Sequence, residues 1–278
     1  MKEKDKPIGI FDSGVGGLTV VKEVIRHLPN ESIIYLGDTA RVPYGIKSPE
    51  TVIKYSRQNT NFLKERGIKL LVAACNTSSA VSLSILREET DISVIGVIEP
   101  GARAAVRNTK TGNIGVIGTE ATIKSGAYEK AINQWSVVSG QWSGKKIEVA
   151  SKACPMFVPL AEEGWFENEV AEMTAEVYLS DFRGKRIDVL VLGCTHYPLL
   201  KKTIQKSVGN MVILIDSAEE TAKEIEILLR ERGLLSDGKS RFVDFYVTDN
   251  PERFSKVGKA FLGENGLSRL SAVDLSNY

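Results

Sequence analysis

The chain has 278 residues, 42% hydrophobic and 26% charged, with 36 Lys and Arg against 35 Asp and Glu for a net charge of +1. That balance gives no electrostatic case for nucleic acid or a membrane surface, and the apolar share suits a soluble globular protein with one large core or two modest ones. Three cysteines are too few and too odd in number for a disulfide scaffold, the N-terminus has no apolar signal core, and no run approaches membrane-spanning length, so the expected compartment is the cytoplasm.

Residues 7–11 read as a first strand, leading into Asp12-Ser13-Gly14-Val15-Gly16-Gly17. A helix follows, with Leu18, Val21, Val24, Ile25 and Leu28 at helical spacing and His27 on its surface. The glycines do not form a dinucleotide fingerprint, because the third position required is Thr19. They suit either a cradle of backbone N–H groups for a carboxylate or a plain tight turn. Asp12 and Ser13 exceed what a turn alone requires.

Residues 33–36 read as a second strand. The loop after it, Gly37-Asp38-Thr39-Ala40-Arg41-Val42-Pro43-Tyr44-Gly45, is longer than a usual strand-to-helix connection, which points to binding groups, although Tyr44 also reads as a packing aromatic. Ser48-Pro49-Glu50 opens a helix and Gly67 closes it. Then Leu70-Leu71-Val72-Ala73-Ala74-Cys75-Asn76-Thr77-Ser78-Ser79 reads as a buried parallel strand ending in a cysteine, followed by N-cap residue types and a helix. Residues 94–98 read as another strand, and Glu99-Pro100-Gly101 as a chain break.

The pattern restarts at residues 113–122, with Thr119 and Thr122 in the polar turn and a helix through Tyr128 and Ile132. A strand over 146–150 and an apolar loop over 154–164, ending in Glu162 and Glu163, precede a long helix over 169–181. Cys154 lacks the strand-to-helix setting and reads as structural. The second cysteine strand is Val189-Leu190-Val191-Leu192-Gly193-Cys194-Thr195-His196-Tyr197-Pro198. A strand over 212–215, a helix through Leu229 closed by Gly233, a strand over 242–247 and a helix over 251–262 complete the chain. Strands alternating with helices predict an α/β protein of two similar parallel-sheet lobes with a cleft between them. The first lobe is expected over residues 1–100 plus 209–278, and the second over 101–208.

Each cysteine is thereby placed at the carboxyl end of a strand beside a helix N-terminus, the edge where open α/β sheets bind ligands and where a thiolate is favoured. A buried cysteine is more often a small hydrophobe, but two in duplicated settings point to function. A redox pair lacks the usual C-x-x-C spacing, and a structural metal site lacks ligands, so no metal is expected. Opposed acid–base chemistry fits best: a thiolate on one face of a carbon takes a proton and a thiol on the other returns one, inverting the centre. Asp12 beside Cys75, and His196 with Glu162 or Glu163 beside Cys194, are placed to move protons to or from sulfur. Ser13, Asn76, Thr77, Thr119, Thr122 and Thr195 suit an amino acid's carboxylate and ammonium, with helix capping the competing role for each Ser and Thr.

Phe11-Asp12-Ser13-Gly14-Val15-Gly16-Gly17, the loop over 37–45, Ala74-Cys75-Asn76-Thr77 and Gly193-Cys194-Thr195-His196-Tyr197-Pro198 together closely resemble the glutamate racemase family, over nearly the full chain and with no departure at these motifs. The resemblance implies a cofactor-independent racemase supplying D-glutamate for peptidoglycan, with Cys75 and Cys194 as the two proton donor/acceptors. It implies substrate contacts from Asp12, Ser13, Tyr44, Gly45, Asn76, Thr77, Thr195 and His196, an auxiliary acid at Glu162 with Glu163 adjacent, and a homodimer. Relatives acting on aspartate typically carry an acid where this chain has His196, which favours glutamate over aspartate. A non-catalytic amino-acid-binding protein on the same scaffold is the alternative from another class.

Overall fold

The computed structural model describes every residue except 1, 141, 143–145, 240, 264–266 and 268. In chain order, β1 (Ile8–Asp12), α1 (Leu18–His27), β2 (Ile33–Gly37), α2 (Pro49–Glu65), β3 (Leu70–Ala73), α3 (Asn76–Glu88) and β4 (Ser93–Gly96) form the first run. The second comprises α4 (Ile98–Asn108), β5 (Asn113–Gly118), α5 (Glu120–Lys124), α6 (Ala127–Val138), β6 (Glu148–Ala153), α7 (Phe157–Glu162), α8 (Glu169–Leu179), β7 (Val189–Gly193), α9 (Lys201–Val208) and β8 (Ile213–Asp216). The chain then continues through α10 (Ser217–Glu231), β9 (Val243–Val247), α11 (Pro251–Leu262) and β10 (Leu270–Ala272).

Among the described residues the strands make two parallel sheets, ordered β10-β9-β2-β1-β3-β4 and β6-β5-β7-β8. Strands β1, β2, β3 and β7 are buried along their whole length, which is why they read as unbroken apolar runs. The order β2-β1-β3-β4 matches β6-β5-β7-β8, so the repeat legible in the sequence is one topology used twice. In each sheet the chain first steps to one side of the leading strand and then to the other. The gap between β1 and β3, and that between β5 and β7, are therefore switch points, where ligands settle in open α/β sheets. Cys75 directly caps α3 just past β3, and Cys194 follows β7, so both cysteines stand at these points.

Several boundaries differ from the sequence reading. Glu99-Pro100-Gly101 is no break but the first turn of α4. Proline is tolerated there because first-turn N–H groups have no intrahelical partner. Helix α4 buries Ile98, Ala102, Ala105 and Val106 on the second sheet beside Ile114 and Val191. Residues 157–162 of the expected apolar loop are helix α7, whose Phe157, Leu160 and Ala161 are buried at helical spacing. The strand expected over 146–150 runs later, as β6. Residues 213–216, expected in the first lobe, pair with β7 from Val189↔Ile213 to Leu192↔Asp216 and so belong to the second sheet. The return to the first sheet comes with α10, whose Ala218, Ala222, Ile225 and Leu229 join the core under α1.

Candidate active site

Both thiols line one cavity of about 160 Å³ between the two sheets. Ser13, Tyr44, Gly45, Asn76 and Thr77 line it from the first sheet's side, and Thr119, Thr195 and His196 from the second. Its size is well under the roughly 300–1,000 Å³ of pockets that take drug-sized ligands, and matches a small metabolite. Cys75 and Cys194 are each only 6% exposed, and each is a free thiol.

Cys75 opens α3, and its Sγ donates to Ser13 Oγ at 3.8 Å. Burial pushes this thiol up to about 12; the Asp12 carboxylate adds to that, and the Ser78 N–H at the helix start opposes it without prevailing. The helix end alone therefore does not leave a thiolate here, contrary to the expectation from sequence: burial outweighs one turn of helix dipole. Asp12 is fully buried and does not line the cavity. One carboxylate oxygen accepts from the Gly14 N–H at 2.9 Å, the other has no partner within the protein, and burial raises its pKa against the pull of His196.

The Cys194 side is a chain of charges. His196 Nδ1 lies 3.9 Å from Cys194 Sγ, His196 Nε2 lies 3.2 Å from Glu162 Oε1, and Arg253 reaches the other Glu162 oxygen at 3.6 Å. Burial opposes a charge on His196, but its contacts with Cys194 and Glu162 prevail and raise it to about 10. The His196 contact holds Glu162 below the ordinary carboxylate range. Glu162 lies outside the cavity and lines an adjoining cleft with Arg253 from α11, whose Phe261 also packs edge-on to the His196 ring at 5.7 Å. Of the two acids at the end of α7, Glu162 is the one in contact with His196.

Thr77, Thr119 and Thr122 form a triangle of hydroxyls at 3.0–3.3 Å that joins the two sheets' edges. Thr122 stands behind the cavity, 1% exposed, and Thr119 also caps α5. Tyr44 is held by its hydroxyl, which donates to Asp38 and accepts from Asn59 at 3.1 Å. Asp38, 0% exposed, also accepts from Arg41 at 2.7 Å and Thr248 at 3.0 Å, and so fixes the long loop. Cys154 is buried away from the cavity, and its carbonyl accepts from Tyr197 at 2.8 Å.

Sequence reasoning passed over several residues that shape the site. Thr19 donates to the Thr195 carbonyl at 3.0 Å, tying the first turn to the segment after Cys194. Gly16 lets that segment approach: a Cβ there would lie 2.3 Å from Thr195 Oγ1 and 2.5 Å from the His196 ring. Pro155, Val158 and Pro159 supply an apolar wall. The glycine turn and the apolar loop are visible locally, but not their partners, because each acts on a residue far away in sequence. Among the described residues no group of three or more His, Cys, Asp or Glu side chains is placed to hold a metal ion, and no helix is long and apolar enough to cross a membrane.

The model of the Asp/Glu/Hydantoin racemase family matches residues 8–225. The glutamate racemase of Geobacter metallireducens is 56% identical over 259 residues, covering 93% of each chain. Among solved structures, the glutamate racemase isoform RacE1 of Bacillus anthracis superposes with a TM-score of 0.91 at 43% identity, covering 98% of each chain. The Francisella tularensis glutamate racemase, solved in complex with D-glutamate, gives a TM-score of 0.90 at 42% identity, covering 99% of this chain and 100% of that one. The chain belongs to the Asp/Glu/Hydantoin racemase family, as a racemase similar to the glutamate racemases within it.

Proposed function

We propose that the chain interconverts L- and D-glutamate by moving a proton between two cysteines across the alpha carbon. The observation that carries this reading is the convergence of Cys75 and Cys194, one from each sheet, on a single cavity of about 160 Å³. In one direction a thiolate takes the alpha proton and becomes a thiol, while the opposite thiol delivers its proton to the other face and becomes a thiolate. One proton is gained and one lost by the pair, and the carbon is inverted. As the proton leaves, charge spreads onto the alpha-carboxylate, where hydroxyl and amide donors of Ser13, Asn76, Thr77, Thr119 and Thr195 stabilise it. His196, linked to Glu162, passes protons to and from Cys194, and Asp12 stands behind Cys75 in the matching role.

The reading carries further parts: no cofactor, D-glutamate supplied to peptidoglycan and a homodimer, which rest on family resemblance, and a place in the cytoplasm, which rests on the three cysteines and the lack of a signal-like or membrane-length apolar run. The test is exchange in D2O. Each enantiomer of glutamate, incubated without added cofactor, is expected to gain alpha deuterium and lose optical rotation. Replacing either Cys75 or Cys194 with Ala is expected to abolish racemisation, a loss of at least about 10³-fold for removal of one of two obligatory proton carriers. Absence of exchange in the intact enzyme, or full racemisation by either variant, sinks the reading.

A further inference from the structure

The amide of Asn76 is the first side chain of α3, only 3% exposed, and it lines the cavity. Its two ends are treated differently. Oδ1 accepts a hydrogen bond of 2.7 Å from the Tyr128 hydroxyl, while Nδ2 has no partner within the protein. An amide carries an acceptor at one end and two donors at the other, so whatever claims the oxygen turns the N–H groups the opposite way. Tyr128 comes from α6, on the far side of the seam between the sheets, and is itself 3% exposed. Ser217 Oγ, at the start of α10, stands 2.8 Å from the Tyr128 oxygen, so three side chains from three helices line up behind the cavity wall. Burial holds the Tyr128 phenol above its ordinary pKa, so it remains an O–H donor around neutral pH.

The place for the tyrosine ring is built by two glycines. A Cβ at Gly193, the residue before Cys194, would lie 2.9 Å from Tyr128 Cε2. A Cβ at Gly101 would lie 2.9 Å from Ser217 Oγ and 3.5 Å from Tyr128 Cε1. The same strand end that presents Cys194 thus leaves room for the ring that holds Asn76.

We propose that Tyr128 is a positioning residue for racemisation, locking the Asn76 amide so that its NH2 group faces the carboxylate of the amino-acid substrate. This rests on the reading of the cavity as the racemase site, and adds to it the group that fixes one substrate contact from the opposite lobe. The carboxylate gains charge as the alpha proton leaves, so a donor aimed at it counts more in the transition state than in the bound ground state. Losing the lock therefore lowers kcat more than it raises KM.

The experiment is a double-mutant cycle in full-length enzyme, read as kcat and KM for both glutamate enantiomers by deuterium exchange. Tyr128→Phe removes one hydroxyl and keeps the ring. It is expected to lower kcat/KM by about tenfold, the effect of one misdirected neutral hydrogen bond, mostly through kcat. In an Asn76→Ala background the same change is expected to have no further effect, because Tyr128 acts through the amide. An equal loss in both backgrounds, or a loss confined to thermal stability, overturns the proposal, as does an unchanged kcat/KM in the single variant. Ser217→Ala, two bonds removed in the same line, gives a second cycle should Tyr128→Phe not fold, and a smaller loss that also vanishes without Asn76 is expected. Failure of the intact enzyme to exchange with glutamate is a different result: it sinks the racemase reading and not the tyrosine's role alone.

Discussion

Gly16 shows how much of the site is set by what a residue lacks. Its backbone lies against Thr195 and His196, and a methyl group there would sit 2.3 Å from Thr195 Oγ1 and 2.5 Å from His196 Nδ1. That nitrogen is the one facing Cys194 Sγ at 3.9 Å, so a shift of the ring would disturb the proton path proposed for Cys194. Gly16→Ala is expected to fold and to lose about 10²-fold in kcat, the scale of an ångström-sized misplacement of a catalytic group. Steady-state kinetics check it; a kcat within a factor of two of the parent would show that the ring is free to give way. The two cysteines, Asn76, Thr77, Thr195 and His196 were legible because each follows an apolar strand directly. Gly16 was legible as part of a glycine turn but not as the place where Thr195 and His196 approach, and Thr19, Tyr128 and Arg253 were not legible, since their contacts cross between lobes and leave no periodic or spacing signal in the chain. Tyr128 was visible only as one apolar position of a helix, and its hydroxyl found its use in a residue 52 positions earlier.

Elements were legible where burial on both faces imposed an unbroken apolar run, as in β3 and β7, and less so where it did not. Strand β6, at a sheet edge with half-exposed residues, was placed too early, and α7 was hidden by Pro155 just before it and Pro159 in its first turn. At the opposite end of the first sheet from the site, Lys69 and Glu31 form an ion pair with side chains 0% and 1% exposed. The Lys69 ammonium donates to Glu31 at 2.5 Å and to the carbonyls of Lys4 at 2.6 Å and Leu234 at 2.8 Å, which uses all three of its protons. The other Glu31 oxygen accepts from the Ser236 N–H at 2.8 Å. The pair thus joins the starts of β2 and β3 to the N-terminal segment and to the connection after α10. Removing one partner leaves a buried charge uncompensated. Lys69→Met is expected to lower the unfolding free energy by about 3–5 kcal/mol, measured by urea denaturation, while kcat at 25 °C stays near that of the parent. Adding Glu31→Met is expected to recover part of the loss, because the stranded charge goes too. A single variant that loses less than about 1 kcal/mol would mean water reaches the site.

At the scale of the whole molecule, the two lobes meet through groups that titrate, so stability depends on pH through the seam. Glu162 from α7 touches His196 after β7 and Arg253 from α11, and His196 packs on Phe261 of α11. His196 is raised from 6.5 to about 10 in the folded state. A base so raised contributes stability that is fully present below its unfolded value and is lost as pH rises through the folded one, here between about 6.5 and about 10. Glu162 is lowered from 4.5, so its contribution is present above 4.5 and is lost as pH falls through the depressed value. Cys75 is an acid raised from 9.0 to about 12, which makes the folded state resist ionisation and lowers stability further between those values. The Glu162→Gln variant separates these effects, because it removes the carboxylate from the His196 contact and leaves Cys75 untouched. The difference in Tm between parent and variant is expected to be largest between about pH 4.5 and 6.5, where both partners are charged in folded and unfolded chains alike. From there it should shrink toward pH 10 as His196 loses its proton, and toward acid as Glu162 gains one. The decline between about pH 9 and about 12 that stems from Cys75 should be common to both proteins. Scanning calorimetry of the two across that range decides it: parallel Tm curves would mean the His196–Glu162 contact, which Arg253 and Phe261 of α11 cover from the first lobe, adds no stability to the folded chain.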